Sequence, residues 1–333
     1  MYTFFKIQRI CRKSVFSILQ NISYGTMVEE LASINILKEC KQIIPNLVPS
    51  KHKGQSGRIG IFGGSKDFTG APFYSGMSSL RTGSDLIYIF CVPEAAIPIK
   101  SYSPELMVTP FFDVDLSDDL IQWSQNLHCA VIGPGLGRFP STFKRISEIL
   151  PYLKEKSIPL VFDADGVVFV SRNLSIVKNY SEQIYLTPNI NEFRILCKAV
   201  FDESAIENNS TMVLGEMLSS DLGEHVTVLL KGQTDLIFNS GKLVFQNETI
   251  GSSRRCGGQG DILSGCLATF VFWAKQCVNG QVENPYILAG IAASTLTRVC
   301  NRLAFNEHGR GMIASDMIVK IPPTFKILFD DLN

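Results

Sequence analysis

The segment Arg58–Pro72, RIGIFGGSKDFTGAP, decides the fold class, because a short apolar and β-branched run is followed at once by a glycine-rich turn. The same unit recurs along the chain. The further runs of this kind are Asp85–Val92, Cys129–Gly133, Ile158–Asp163, Gln183–Thr187 and Val226–Gly232. Several are apolar at nearly every residue, which is typical of strands buried on both faces of a parallel sheet. Helical spacing between them, as in Tyr74–Arg81 and Ser141–Lys156, predicts an α/β sandwich with helices on both faces.

The carboxyl-terminal third has a different pattern. Two β-rich runs flank Ser240-Gly241, which predicts a hairpin. Two long apolar helices are expected over Asp261–Gln276 and Asn284–Ala304. No repeat and no linker divides the chain. We therefore expect a single domain over residues 51–333, preceded by a lead-in helix over residues 29–50.

Composition narrows the classes of function. Among 333 residues, 31 Lys and Arg balance 31 Asp and Glu, so no overall field attracts nucleic acid or an anionic bilayer. The longest apolar run, Ile262–Ala274, is too short to span a membrane. Nine cysteines without a CxxC pair, and four scattered histidines, argue against a disulfide framework and a zinc site. We expect neither a nucleic-acid partner nor a membrane partner.

Residues 1–28 differ from the rest of the chain. They carry four basic residues and hydroxyl side chains, and no acid precedes Glu29. This composition predicts a mitochondrial transit segment. The alternatives are an untargeted tail and, from a second start at Met27, a cytosolic form. Deletion of residues 1–26 followed by imaging distinguishes them, because an unchanged mitochondrial location would exclude the transit role.

Five of the predicted strands end in glycines and short polar side chains. These ends are Gly63–Pro72, Gly133–Arg138 (GPGLGR), Asp163–Gly166 (DADG), Thr187–Phe193 (TPNINEF) and Lys231–Asp235 (KGQTD). Since ligands of open parallel sheets bind beyond the carboxyl ends of the strands, we expect a binding site at this edge. Glycine-rich turns are common, but their general frequency does not explain why five of the predicted strands end in such a turn. The sequence contains no P-loop, and GPGLG lacks the dinucleotide spacing GxGxxG.

A phosphate site is predicted at Gly251–Asp261, GSSRRCGGQGD, which leads directly into an apolar helix. Its glycines allow backbone N–H groups to converge at a helix amino terminus, where an anion is favoured. A carboxylate at Asp261 would repel that anion. We interpret it as the base that removes the proton of a hydroxyl attacking the phosphate. The alternative is an ordinary acid in a first helical turn.

A second polar pair is formed by Asn189 and Glu192, which fall on one side of an early helical turn. Oxygen ligands of this kind suit Mg²⁺, usually through water and nucleotide phosphates. A helix-capping pair has the same spacing, and the sequence does not decide between the two.

Together, in this order and spacing, these motifs resemble the ATP-dependent NAD(P)H-hydrate dehydratase family over about Lys51–Phe329. GSSRRCGGQGD is the most specific of them, whereas a lone GxGD would indicate only the wider sugar and vitamin kinase superfamily. The resemblance implies a ribokinase-like three-layer α/β sandwich with a mostly parallel central sheet. It also implies dehydration of the S-form of hydrated NADH or NADPH, by phosphorylation of the 6-hydroxyl and elimination of phosphate. ATP would be the co-substrate, Mg²⁺ the cofactor, and a separate epimerase the functional partner.

The resemblance also assigns residues. Asp261 would be the base, and Gly257, Gly258 and Gly260 would hold the transferred phosphoryl group. The ATP site would be lined by Lys231, Gly232, Gln233, Thr234, Asp235, Gly251, Ser252, Ser253, Arg254, Arg255, Cys256, Gly257, Gly258, Gln259 and Gly260. The hydrated dinucleotide would contact Gly135, Asn189, Ile190, Asn191, Glu192, Phe193, Arg194, Ile195 and Asp261. Asn189 and Glu192 would also organise Mg²⁺.

One segment departs from the family pattern. Animal relatives tend to have N-H-V-E-F-S-R where this chain has Asn189–Ile195, so only the asparagine, the glutamate and the phenylalanine match. Side-chain roles of the other four residues stay open. Two other functions also stay open: a superfamily kinase that releases a stable phosphoester, and a protein that senses dinucleotides without turnover. The sequence leaves undecided the choice between NADH and NADPH hydrates, the nucleotide, the role of Cys256, and whether the chain forms a homo-oligomer.

Overall fold

The computed structural model describes residues 34–50, 52–112, 118–278, 280 and 282–331. Within them, nine strands form one sheet. The strands are β1 (Arg58–Phe62), β2 (Leu86–Cys91), β3 (Leu106–Pro110), β4 (Cys129–Ile132), β5 (Leu160–Phe162), β6 (Ile184–Leu186), β7 (Val226–Leu230), β8 (Asp235–Asn239) and β9 (Lys242–Asn247). Their order is β3-β2-β1-β4-β5-β6-β7-β8-β9. The first seven pair in parallel, and β8 and β9 complete the sheet as an antiparallel hairpin.

Helices connect and cover these strands. They are α1 (Gly70–Thr82), α2 (Pro93–Tyr102), α3 (Asp118–Gln125), α4 (Pro140–Glu155), α5 (Asp165–Arg172), α6 (Leu174–Lys178), α7 (Ile190–Val200), α8 (Glu203–Asn208), α9 (Thr211–Leu222), α10 (Gln259–Cys277), α11 (Pro285–His308) and α12 (Ala314–Phe325). One layer contains α1, α10, α11 and α12, which contact one another, and the other contains α5, α7 and α9. The predicted α/β sandwich, with a mostly parallel sheet between helical layers, is confirmed.

Helix α10 explains the long apolar run of the sequence. Its residues Ile262–Ala274 are all buried, because the helix packs against α1, α11 and the sheet. The approach to α1 is close: a Cβ on Gly265 would lie 1.9 Å from the Ser75 carbonyl oxygen. None of the described helices has the length and hydropathy needed to cross a bilayer.

The structure describes only part of the amino-terminal region for which the sequence gave predictions. The predicted transit segment, residues 1–28, lies outside the described residues. Within the predicted lead-in segment, residues 34–41 are helical. Cys40 and Ile43 of this segment are buried in the core, and the Cys40 thiol contacts the Leu288 carbonyl oxygen on α11 at 3.6 Å.

The strand predictions hold with one omission. Six predicted runs are strands, and the hairpin between β8 and β9 turns at Ser240 and Gly241, both with positive φ as a tight hairpin turn requires. Strand β3 was not predicted. It pairs only with β2 at the edge of the sheet and ends at Pro110, where a residue without an N–H is tolerated.

The direction in which the strands are added to the sheet changes between β1 and β4. From β1 the chain continues to β2 and β3 on one side, and it returns to β4 on the other side, so the connections diverge there. The loops that follow these strands lie very close together. The Gly64 N–H donates to the Pro134 carbonyl oxygen at 3.0 Å, and a Cβ on Gly63 would lie 2.1 Å from that oxygen.

Candidate active site

The amino terminus of α10 is shaped to receive an anion. Gly258 is its N-cap with φ +92°, in the left-handed region, and within the described part of the chain no side-chain hydrogen bond caps the helix. The first-turn N–H groups are therefore free of a capping side chain, and the helix dipole adds partial positive charge there. A Cβ at Gly258 would also lie 2.6 Å from the Ala314 Cβ, so this position requires glycine for two reasons.

A partly buried cation lies beside this helix terminus. The Lys231 Nζ donates to the Asp163 Oδ1 at 2.6 Å and lies 4.0 Å from the Glu192 Oε2. A Cβ on Gly260 would lie 3.3 Å from the same Nζ. Burial by itself lowers the pKa of Lys231, but the neighbouring Asp163 and Glu192 carboxylates raise it above its ordinary value. The ammonium is therefore charged at neutral pH.

Asp163 is held rigidly. Its side chain is 1% exposed, and its Oδ1 accepts a hydrogen bond from the Thr187 hydroxyl at 2.9 Å in addition to the one from Lys231. Asp163 follows β5 directly, Thr187 follows β6 and Lys231 follows β7, so three adjacent parallel strands supply the three groups. The register of the sheet therefore fixes their spacing.

Asp261 lies in the first turn of α10, next to this charged cluster. Burial raises its pKa to about 7, the Asp163 carboxylate acts in the same direction, and Lys231 acts against it. A carboxyl group with such a pKa exchanges its proton near neutral pH, which suits a general base. The position is also the one that the alternative interpretation gives it, an ordinary acid in a first helical turn. Among the described residues, no hydrogen bond joins its carboxylate to the Gly258 N–H.

Asn189 and Glu192 form a capping box at the start of α7. The Asn189 Oδ1 accepts from the N–H groups of Asn191 and Glu192 at 2.9 and 3.0 Å, and the Glu192 Oε2 accepts from the Asn189 N–H at 2.8 Å. The capping interpretation is thus confirmed. Burial raises the pKa of Glu192 and Lys231 opposes this shift. The same carboxylate therefore caps α7 and belongs to the charged cluster.

The remaining residues of the Asn189–Ile195 segment divide into two groups. The side chains of Ile190, Asn191, Arg194 and Ile195 are exposed on α7. Phe193 is 1% exposed and packs in the core, so its side chain is not available to a ligand. Only its backbone is left for the predicted substrate contact.

A cavity of about 1020 Å³ opens beside Lys231 and the start of α10. Of the residues predicted for the ATP site, it is lined by Lys231, Gly232, Gln233, Thr234, Asp235, Gly251, Ser252, Ser253, Arg255, Cys256, Gln259 and Gly260. Asn189 also lines it. The size is at the upper end of the range of small-molecule sites and is sufficient for a nucleotide.

Some predicted residues lie outside this lining. Gly257 and Gly258 are at the turn into α10, and the Arg254 Nε donates to the Met312 carbonyl oxygen at 3.4 Å. Gly135 lies in the loop that follows β4, with φ +59°. A Cβ there would come within 2.5 Å of the Phe68 carbonyl oxygen.

Several site residues were not predicted. Asp163 stands in the DADG turn, to which the sequence gave no individual role, although an acid directly after a fully apolar strand is a usable signal. The cavity lining adds Glu248, Ile250, Leu263, Thr297, Arg298, Asn301 and Met317. They lie in the loop that follows β9 and on α10, α11 and α12, where no local motif marks them.

The described residues do not form a closed metal site. Among them, no group of three or more His, Cys, Asp or Glu side chains is placed to hold a metal ion. The ammonium of Lys231 already lies against the Asp163 and Glu192 carboxylates. This donor set fits a hydrated Mg²⁺ that takes its direct ligands from nucleotide phosphates.

The strand order and the helical layers on both faces of the sheet define a ribokinase-like fold. A solved ribokinase-like superfamily protein from Enterococcus faecalis has the same fold, with a TM-score of 0.73 at 21% identity over 89% of this chain and 95% of that chain. An ADP/ATP-dependent NAD(P)H-hydrate dehydratase from Bacillus subtilis, co-crystallised with ATP and Mg²⁺, gives a TM-score of 0.67 at 20% identity over 88% of this chain and 97% of that chain. The predicted ribokinase-like architecture is confirmed.

Within that class, the chain belongs to the NAD(P)H-hydrate dehydratase family, whose family model matches residues 59–323. The ATP-dependent (S)-NAD(P)H-hydrate dehydratase of Danio rerio is 41% identical over 93% of this chain and 96% of its own length. The mouse protein of the same description is 43% identical over 89% of this chain and 86% of its own length. The family resemblance found in the sequence motifs is confirmed.

Proposed function

We propose that this chain is an ATP-dependent (S)-NAD(P)H-hydrate dehydratase, a hydro-lyase that repairs hydrated nicotinamide cofactors. It converts the S-form of hydrated NADH or NADPH to NADH or NADPH and releases ADP and phosphate. One observation carries the proposal: the Asp261 carboxyl, with a pKa of about 7, lies in the first turn of α10 close to Lys231 and Asp163, and Gly260 of the same turn lines a nucleotide-sized cavity. Full-length similarity to the curated dehydratases supports it.

The first step is phosphoryl transfer. Asp261 takes the proton of the 6-hydroxyl, the hydroxyl oxygen bonds to the γ-phosphorus of ATP, and the bond to the ADP oxygen breaks with its electron pair. The first-turn amides of α10 and the Lys231 ammonium stabilise the charge on the transferring group. The helix backbone positions the amides and the ion pair with Asp163 positions the ammonium, so little reorganisation is needed when the charge develops.

The second step is elimination. The ring C–O bond breaks, phosphate leaves with the electron pair, and the neighbouring ring carbon gives up a proton to water, so that the electrons of its C–H bond restore the double bond of the reduced nicotinamide. Hydroxide is a poor leaving group and phosphate is a good one. Phosphorylation therefore makes dehydration easy, and the hydroxyl oxygen of the substrate leaves in the phosphate.

Mg²⁺ is proposed as the ion that accompanies ATP. Glu192 and Asn189 are the residues that would hold its water ligands, consistent with their place beside Lys231 and the cavity. When bound, the ion would neutralise charge on the β- and γ-phosphates.

The decisive assay combines purified protein, hydrated NADPH, ATP and Mg²⁺. We expect phosphate release together with recovery of reduced-nicotinamide absorbance, in equal amounts. A lasting phosphorylated product without recovery of absorbance would instead identify a superfamily kinase. Binding of the dinucleotide without either product would identify a sensor.

The pH dependence of the reaction follows from Asp261. Because the base must be deprotonated, and its pKa is raised to about 7, kcat/KM should fall as pH falls through that value, by about tenfold per pH unit. Above it the rate should reach a plateau. A profile that stays flat from pH 5 to pH 8, with the protein still folded by circular dichroism, would contradict this role of Asp261.

Two further proposals concern the cellular setting. Since the proposed substrate is the S-form, a separate epimerase is needed to supply it from the R-form. The basic, acid-free composition of residues 1–28 supports a mitochondrial location, with the form starting at Met27 as the cytosolic alternative. Imaging of the chain that lacks residues 1–26 tests this.

A further inference from the structure

One face of α11 makes hydrogen bonds to two loops beside the cavity, the one between β7 and β8 and the one that follows β9. Ser294, Arg298 and Asn301 are four and three residues apart, so they share a face of the helix. The Ser294 hydroxyl donates to the Asp235 Oδ2 at 2.7 Å, and the Asn301 Oδ1 accepts from the Ser252 N–H at 2.6 Å. Arg298 lies between them and lines the cavity.

Arg298 makes contacts that only a guanidinium can combine. Its Nη1 donates to the Gly232 carbonyl oxygen at 3.3 Å, its Nη2 donates to the Gln233 carbonyl oxygen, and its Nε donates to the Thr249 carbonyl oxygen at 2.5 Å. Its Nη1 also lies 3.1 Å from the Asp235 Oδ1. The planar fork of donors thus joins two loops that are separate in sequence, and a lysine ammonium cannot span them.

Asp235 anchors the other side of this arrangement. It is 5% exposed, and its Oδ1 also accepts from the Gly232 N–H at 2.9 Å. The fully buried Ser294, which donates to Asp235, accepts in turn from the Asn247 Nδ2 at 2.7 Å. The Gly232–Asp235 loop is therefore bonded through its amide, its carbonyls and its only carboxylate.

We infer that Arg298 is a positioning residue for the nucleotide, which holds the Gly232–Asp235 loop and the loop at Thr249 at the separation that ATP requires. This inference rests on the proposed function, because it takes the cavity as the ATP site. Arg298 is assigned no contact with the reacting atoms; its effect passes through the loop backbone. Its loss should consequently weaken ATP binding and leave the dinucleotide side of the site unchanged.

The test compares Arg298→Lys and Arg298→Gln with Arg302→Gln as the matched control. Arg302 is on the same helix, one turn further, and lies outside the cavity lining. Arg298→Lys and Arg298→Gln lose hydrogen bonds that the charged guanidinium donates to loop carbonyl oxygens. This loss should raise the KM and the directly measured Kd for ATP by about tenfold or more. The KM for hydrated NADPH should stay within about twofold, since Arg298 is not on that side. Arg298→Ala should recover ATP affinity in low millimolar guanidinium, and Arg302→Gln should match the unmodified chain.

A purely structural role of Arg298 gives a different result. It would lower Tm and the active fraction, and hence the apparent kcat, while the KM and Kd for ATP remain unchanged; that outcome overturns the inference. Arg298→Lys keeps the positive charge and the aliphatic part of the side chain. It therefore allows the Kd for ATP to be measured even if Arg298→Gln does not fold. If the unmodified chain binds ATP without dehydrating the substrate, the proposed function fails, but the Kd comparison still decides the role of Arg298. If the unmodified chain does not bind ATP, both fail.

Discussion

Asp261→Asn is expected to reduce kcat by about 10³-fold and to leave the Kd for ATP within about twofold of the unmodified value. The substitution keeps the size and the helix position of the side chain but removes the group that takes the proton of the substrate hydroxyl. It also removes a negative charge close to Asp163 and the phosphate site, so nucleotide binding should not weaken. Turnover is measured by phosphate release, and Kd by calorimetry with ATP and Mg²⁺.

Asp316 provides a matched control for this substitution. Both residues occupy the third position of a helix, Asp261 after its N-cap Gly258 and Asp316 after its N-cap Ile313. The Asp316 carboxylate caps its helix by accepting the Ile313 N–H at 2.8 Å, which is the task that Asp261 does not perform. Asp316→Asn should therefore alter stability slightly and activity not at all. Full activity of Asp261→Asn would refute the assignment of the base.

The sheet was predictable because its strands obey local rules. β4 and β7 are buried at every residue, and their sequences show this: CAVI is apolar throughout, and VTVLL is interrupted only by the β-branched Thr227. β3 was not predicted, because it is an edge strand that pairs with β2. Its sequence LMVTP also ends in a proline and follows closely after Pro104. An edge strand needs less apolar character than a central one, so its signal is weaker.

The site was predictable where a continuous segment builds it and unpredictable where distant segments meet. The segment GSSRRCGGQGD predicts the helix terminus, because its glycines and its acid lie within a few residues of one another. The ion pair between Asp163 and Lys231 spans 68 residues, and the bonds from Arg298 to Gly232 and Gln233 span 66 and 65. No local sequence pattern predicts these contacts. They follow only from the adjacency of β5, β6 and β7 and from the packing of α11.

Gly260→Val should have the second large effect, a fall in kcat of about 10²- to 10³-fold, which is the range for the loss of one oxyanion-type donor. A Cβ at Gly260 would lie 3.3 Å from the Lys231 Nζ and 3.8 Å from the Asp163 Oδ2, so the two methyl groups of valine would enter the space of the transferring phosphoryl group. They would displace the ammonium and block the first-turn amides together.

A graded series separates this effect from a general disturbance of the fold. Gly260→Ala should lose only about tenfold, because the single close atom is the flexible end of Lys231 and can shift. Gly311→Ala is the control, since a Cβ there would meet nothing within 4 Å. Steady-state kinetics and thermal unfolding of the three variants test the prediction. If Gly260→Val kept its kcat, the phosphoryl group would have to be stabilised elsewhere, because valine at this position leaves no room for it beside Lys231.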